Sequence, residues 1–264
     1  MLRVMTLNIW NVGHWRARRD EIVAWIEHVE PDVLCLQEVV ALEDGRNQAA
    51  WLAERTQRHW VGAPGLDLGN GAWFGDAVLS RWPIDGHDIT PLPALDQDDE
   101  GRVLLHARTH GLDVFCTHLN WQYHHGYIRE AQVLKVVGTI EAQADATSPF
   151  PPILCGDLNA NPDSDEIRFL CGLASLEGRS AFFQEAWRVA GGTGPGYTWD
   201  NRNSFAALDR EPDGRIDYIF VGWRRDSGAG RVESARVVCD RSLTGTFASD
   251  HFGVMAEIAG PAPS

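Results

Sequence analysis

Apolar positions along the chain follow two periods. Short runs of β-branched and apolar residues read as strands: "LRVMTLNI" (2–9), "DVLCLQEV" (32–39), "RVLLHARTH" (102–110), "LDVFCTHL" (112–119), "PPILCGDL" (151–158), "RIDYIFV" (215–221), "SARVVCD" (234–240) and "FGVMAEI" (252–258). "GDAVLSRWPI" (75–84) begins as a strand and stops at Pro83. Between them lie helical patterns. Residues 16–30 place Ile22, Trp25, Ile26 and Val29 on one face, residues 46–58 look helical, and 125–145 carries a stripe of Ile128, Ala131, Val133, Leu134, Val137 and Ile140. The two runs around Gly111 predict a hairpin, and Asn161-Pro162 predicts a helix N-cap followed by Pro in the first turn. Segments 62–72, 91–101 and 191–213 are rich in Gly, Pro, Asp and Asn and read as surface loops. With no repeat and no long linker, this mixture predicts a single α/β domain over 1–264, a sandwich of mixed sheets.

Composition narrows the class. The chain has 264 residues, 44% of them hydrophobic, enough for a large core. No apolar run approaches the roughly 20 residues that span a bilayer, and the first strand pattern begins almost at once, without the layout of a signal peptide. Five scattered cysteines (Cys35, Cys116, Cys155, Cys171 and Cys239) show no zinc-type spacing and read as reduced, mostly buried thiols. Together these features predict a cytoplasmic protein without a transmembrane segment. The 37 acidic residues against 23 basic ones give a net charge of −14, which disfavours a general nucleic-acid binder while leaving room for a local basic groove.

Candidate chemistry sits where the strand patterns end. Asn8, Glu38, His118, Asp157 with Asn159, Asp217, and Asp250 with His251 each close or open an apolar run. Each has an ordinary reading by itself: a turn, a surface acid, a core histidine. Strand ends are also where α/β sheets place their sites, and all of these side chains suit metal and phosphate chemistry. In "CGDLNA" (155–160), Gly156 reads as the residue of a tight turn. Asp157 and Asn159, two apart, leave one face if the strand persists that far.

The ordered motifs "TLNIW" (6–10), "LQEV" (36–39), "GDAVLSRWPI", "THLNW" (117–121), "CGDLNA", "RIDYIF" (215–220) and "SDHFGV" (249–254) resemble the endonuclease/exonuclease/phosphatase superfamily with its DNase I-like fold. The resemblance covers almost the whole chain. It implies a four-layer α/β/β/α sandwich of two mixed sheets and a hydrolase of phosphoesters dependent on Mg²⁺, with Mn²⁺ as a substitute. It places Asn8, Glu38 and Asp250 in the metal region, Asp157 and Asn159 at the attacked phosphate and its nucleophile, His251 with Asp217 as a catalytic pair, and His118 as a second histidine. That chemistry suits the residue types. Glu38 offers a hard anionic oxygen and Asn8 a neutral one. His251 beside an acid makes an oriented base, with Asp157 an equal contender for the water proton. Asn159 has an amide to donate to a phosphate oxygen, and His118 is placed to protonate or stabilise the leaving oxygen. Asp76 reads equally as a partner for His118 and as a turn acid.

Departures within the resemblance point to a branch. "THLNW" stands where the abasic-site endonucleases usually carry tyrosine–proline–asparagine, and Ala160 stands where the phosphoinositide 5-phosphatases usually carry an arginine. The chain is similar instead to two-histidine phosphodiesterases, including sphingomyelinase-like proteins, which implies a small or lipid-like phosphoester. The alternatives are an endo- or exonuclease on DNA or RNA, and a non-catalytic binding module on the same fold. Asn120, Trp121, Arg129 and Tyr197, with Arg102 and Arg202, are the residues expected to select substrate. Several of the eleven tryptophans (Trp10, Trp15, Trp73, Trp121 and Trp199) lie near motif loops, where they read as an aromatic rim or as packing.

Overall fold

The structure is a computed structural model and describes residues 1–41, 46–95 and 100–261. The strand-forming runs become β1 (Leu2–Asn8), β2 (Val33–Ala41), β3 (His59–Gly69), β4 (Ala72–Ser80), β5 (Ile84–Pro91), β6 (Val103–Thr109), β7 (Leu112–His118), β8 (Ile153–Asp157), β9 (Gln184–Glu185), β10 (Asp217–Val221), β11 (Val232–Val238) and β12 (Gly253–Ile258). The helices are α1 (Trp15–Val29), α2 (Gln48–Arg55), α3 (Gly126–Gln143), α4 (Asp165–Leu170) and α5 (Ala186–Ala190), with a 3₁₀ turn at Ala206–Leu208. Two six-stranded mixed sheets form, in the orders β11-β12-β1-β2-β4-β3 and β5-β6-β7-β8-β10-β9.

The two-residue period of the strands sorts side chains into layers. In β1 and β2, Val4, Val33 and Cys35 meet Val114, Cys116, Ile153, Cys155 and Ile219 of the other sheet in the central core. The alternate residues Met5, Leu7, Leu34 and Leu36 face outward onto Ile22, Trp25 and Ile26 of α1 and Leu52 of α2. On the other side, Phe115, Leu154, Tyr218 and Phe220 pack under Val133, Val136, Val137 and Ile140 of α3. The result is the α/β/β/α sandwich. Within the α3 stripe, Ala131 and Leu134 are only partly buried, while Val136 completes the buried face.

Some local expectations fail for identifiable reasons. Segment 62–72 is not a loop: most of it is β3, paired antiparallel to β4 through two register shifts. β3 is an edge strand, where Gly, Pro64 and Asp67 are tolerated because one side needs no ladder partner. The polar run "IDGHDITP" is likewise an edge strand, β5. Asn161-Pro162 does not cap a helix. It forms a turn closed by Ser164 N–H to the Asn161 carbonyl (2.9 Å), and α4 starts after Ser164. Of the expected loop 91–101, residues 96–99 lie outside the described residues.

Candidate active site

Asp157 ends β8 between two neighbours. His118, the last residue of β7, is its parallel register partner on one side, and Asp217, the first of β10, is its antiparallel partner on the other. Pairing therefore delivers three polar side chains to one end of the second sheet. The Asp250-His251 pair comes from the segment just before β12, held by the bridge between Trp199 and His251. His251 Nδ1 lies 3.0 Å from Asp217 Oδ2, and its Nε2 lies 3.8 Å from Asp157 Oδ2. His118 Nε2 reaches the same Asp157 oxygen at 3.5 Å.

The first sheet contributes from across the sandwich. Asn8, ending β1, donates its amide Nδ2 to Asp157 Oδ2 (3.0 Å) and to Glu38 Oε1 (3.2 Å). Its Oδ1 accepts the Trp10 N–H at 2.9 Å and keeps one lone pair. Glu38 reaches the site because β2 is bulged. Leu36 pairs with Ala77 and Val39 with Gly75, so Gln37 and Glu38 together oppose Asp76. Glu38 takes a left-handed φ of 59°, and Asn11 Nδ2 holds its second oxygen at 2.7 Å. The turn carrying Trp10 and Asn11 is pinned by Arg18 of α1, whose guanidinium donates to the carbonyls of Ile9, Trp10 and Gly13 and of Ala248.

These residues share a pocket of about 640 Å³, lined by Glu38, His118, Asp157, Asn159, Asp250 and His251. Trp10, Phe74, Trp121 and Trp199 supply its aromatic walls, and Glu100, Arg102, Asp209 and Glu211 ring it with charge. Arg102 is held by Glu100 at 2.8 Å and lies over Phe74.

Electrostatics follow from crowding acids in a dry place. Burial, then Asp217, pushes the Asp157 carboxyl up to about 7. Burial, partly offset by His251 and reinforced by Glu38, raises Asp250 to about 6. Burial raises Asp76 to about 8 against the pull of Arg102. Burial would lower the pKa of His251, but Asp217 and then Asp157 raise it well above its ordinary value, so it stands as the proton-bearing partner of the carboxylates. His118 goes the other way. Burial, Arg102 and His251 push it well below the usual imidazole range, so it is neutral.

The donor set fits a hard divalent cation. Carboxylates outnumber cations, Asp217 Oδ1 is buried without a hydrogen-bond partner, and among the described residues the Glu38 oxygens accept from the neutral amides of Asn8 and Asn11. Asp157, Asp217 and His251 place one donor atom each within 4.8 Å of one another. His251 and Asp217 are already joined by their own hydrogen bond, however. Glu38, Asn8, Asp157 and Asp250 offer the other oxygen donors at this end of the sheets.

Other expected residues are placed differently. β8 stops at Asp157, and Asn159 adopts a left-handed φ of 49° with its N–H turned back to Asp157 Oδ1 (2.9 Å), so the two do not leave one strand face. The Asn159 amide nitrogen donates to the Leu119 carbonyl (3.1 Å). Gly156 lies within β8 rather than in a turn; a Cβ there would collide with the Thr117 carbonyl oxygen of β7. Among the described residues no hydrogen bond joins Asp76 to His118, and Asp76 Oδ1 and His118 Nδ1 are both buried without a partner. Trp121 lines the pocket, half exposed. Asn120 is buried and organises its own loop, accepting from Gln122 N and His125 Nδ1. Arg129 is not brought to the pocket: it is buried against Glu166 at 2.6 Å and also bonds the Asn120 and Gln122 carbonyls. Tyr197 is half-buried away from the pocket lining, and Arg202 is paired with Asp200. Arg102, expected to select substrate, does line the pocket, whereas Asn11, Phe74 and Glu100 line it without having been singled out in the sequence.

Comparison with known proteins adds to this geometry. Protein angel homolog 2 of Bos taurus is 28% identical over 174 residues, which is 60% of this chain and 31% of that protein. The human counterpart is 26% identical over 175 residues. The chain spans about 30% of the length of these curated relatives. Among solved structures, an endonuclease/exonuclease/phosphatase from Beutenbergia cavernae superposes with a TM-score of 0.72 at 25% identity, covering 99% of this chain and 72% of that one. TDP2 of D. rerio, solved with a single-strand DNA product, gives 0.73 at 21% identity, covering 98% of each chain. A family model described as Endonuclease/Exonuclease/phosphatase family matches residues 5–251, and the chain belongs to that family.

Proposed function

We propose that this chain is a divalent-metal-dependent hydrolase of phosphodiesters. The observation that carries the reading is the convergence on Asp157. Two histidines lie within 3.8 Å of one carboxylate oxygen, one oriented by Asp217, and Asn8 ties the same oxygen to Glu38. Glu38 and Asn8, with Asp157 or Asp250, would hold Mg²⁺ or Mn²⁺. The ion supplies Lewis-acid stabilisation of a phosphate oxygen. Asp157, beside the His251–Asp217 pair, is the group placed to take the proton from water. Neutral His118 stands on the other side of Asp157, where it can donate a hydrogen bond to the leaving oxygen. Arg102 can pair with a non-bridging phosphate oxygen.

The acidic mouth formed by Glu100, Asp209 and Glu211 favours a small or lipid-like diester over duplex nucleic acid. A nuclease acting on single strands is the second reading, and an arginine-bearing groove between α1 and α2 favours it.

The test is turnover of bis-p-nitrophenyl phosphate with Mg²⁺ and Mn²⁺. His251→Ala and Asp157→Ala are expected to lose at least about a hundredfold in rate, with unchanged circular dichroism, and EDTA is expected to abolish activity. Near-wild-type turnover by either variant, or in EDTA, overturns the reading.

A further inference from the structure

A second cavity, of about 500 Å³, lies between α1 and α2. Its lining includes Val12, Trp15, Arg16, Arg19 and Trp51, with Glu54 as the acid. In a chain of net charge −14 this is a local reversal of sign. Arg16 and Arg19 make no ion pair among the described residues, and Arg19 Nε is buried without a hydrogen-bond partner. Arg19 lies 4.8 Å from the Trp51 ring centre and Arg55 5.1 Å from it, so the indole organises guanidiniums whose N–H edges remain to be used. Trp15 stands edge-on to Trp51 at 5.7 Å, and Val12 beside them is 64% exposed.

The groove adjoins the catalytic pocket. Trp10 and Asn11 line the pocket, and the next residue, Val12, lines the groove. Gln48 of α2 ties the two together, donating to the Asn11 carbonyl (2.6 Å) and accepting the Val40 N–H (2.7 Å) just beyond Glu38. A turn of chain stands between the cavities, and a ligand with phosphates at intervals along a flexible backbone has the form to pass over it and meet both. The apolar side of the groove asks for a flat ring as well as an anion.

We infer that this groove binds the flanking nucleotide of a single-stranded oligonucleotide, with Arg16 and Arg19 on a phosphate beyond the scissile one. The inference rests on the second reading above, a nuclease acting on single strands, for what happens in the pocket. Its binding test does not need turnover.

The full-length chain in EDTA is titrated against a fluorescein-labelled oligothymidylate by anisotropy. Arg16→Glu/Arg19→Glu is expected to weaken binding at least about tenfold and to flatten the salt slope by roughly 0.7 for each phosphate that the protein no longer neutralises. The milder Arg16→Gln should show the same effect at smaller size. With Mg²⁺, kcat/KM in the wild type should rise with oligonucleotide length. The ratio of that value to kcat/KM for bis-p-nitrophenyl phosphate should fall about tenfold in the double variant. Unchanged oligonucleotide affinity in the double variant overturns the inference, as does a variant that loses binding to anionic phosphatidylserine vesicles while keeping the oligonucleotide. Absent turnover of bis-p-nitrophenyl phosphate by the wild type removes the catalytic reading and leaves the groove to be judged by the anisotropy alone.

Discussion

Asp217 sets the state of His251. One of its oxygens fixes Nδ1 at 3.0 Å, and its charge keeps the imidazolium favoured although burial works against it. Asp217→Asn should therefore cost at least about tenfold in kcat and move the kinetic pKa of the histidine downward. A rate–pH profile checks both, and an unmoved profile removes Asp217 from that role. Asn159 shows why a single residue's part was not readable from spacing. The two-residue period placed it beside Asp157 only on the condition that β8 continue. It does not, because Asn159 tolerates the left-handed conformation and turns its amide to Leu119. Arg129, expected from the sequence to select substrate, is held by Glu166, 37 residues later in the chain.

At the scale of elements, a bulge and a glycine aim the site. The extra residue in β2 lets Gln37 stay in the core, bonded to Thr6 and Cys116, while Glu38 turns toward Asn8. Gly156 lets β8 pass close beside Thr117, which brings His118 level with Asp157. Gly156→Ala should force those strands apart and destabilise the protein by about 3 kcal/mol or more, read as a denaturant midpoint. Retention of the wild-type midpoint would show that the strands yield without cost. Central strands and long helices were legible because their apolar periods are strong. β3 and β5 were not. Each is an edge strand, and the polar, Gly- and Pro-containing composition tolerated at an edge is the same that marks a loop.

Taken whole, the molecule concentrates acid where it buries it. Asp157, Asp250 and Asp76 bind protons more tightly folded than unfolded, with values pushed to about 7, about 6 and about 8. Folding therefore takes up protons between about pH 4, the ordinary carboxylate range, and those raised values. The stability they contribute is fully present at the acid end and is lost as pH rises through 6 to 8. Without metal, the melting temperature should fall by at least roughly 4 °C from pH 5 to pH 8, and Asp76→Asn should lessen the fall. Mg²⁺ should raise the melting temperature more at pH 8 than at pH 5, because the ion competes with those protons. Calorimetry at both pH values checks this, and a flat profile contradicts it. No described helix is long and apolar enough to cross a membrane. The periodicities by themselves determined the central strands and the long helices, and the strand ends determined where Asn8, Glu38, His118, Asp157, Asp217, Asp250 and His251 fall, because both are local properties of the chain. Which side chains meet was decided only by the packing of the two sheets. Asn8 reaches Asp157 across 149 positions of sequence, Arg129 is drawn away to Glu166, and a basic groove opens beside an acidic pocket. A side chain's partner depends on long-range packing that no local pattern encodes.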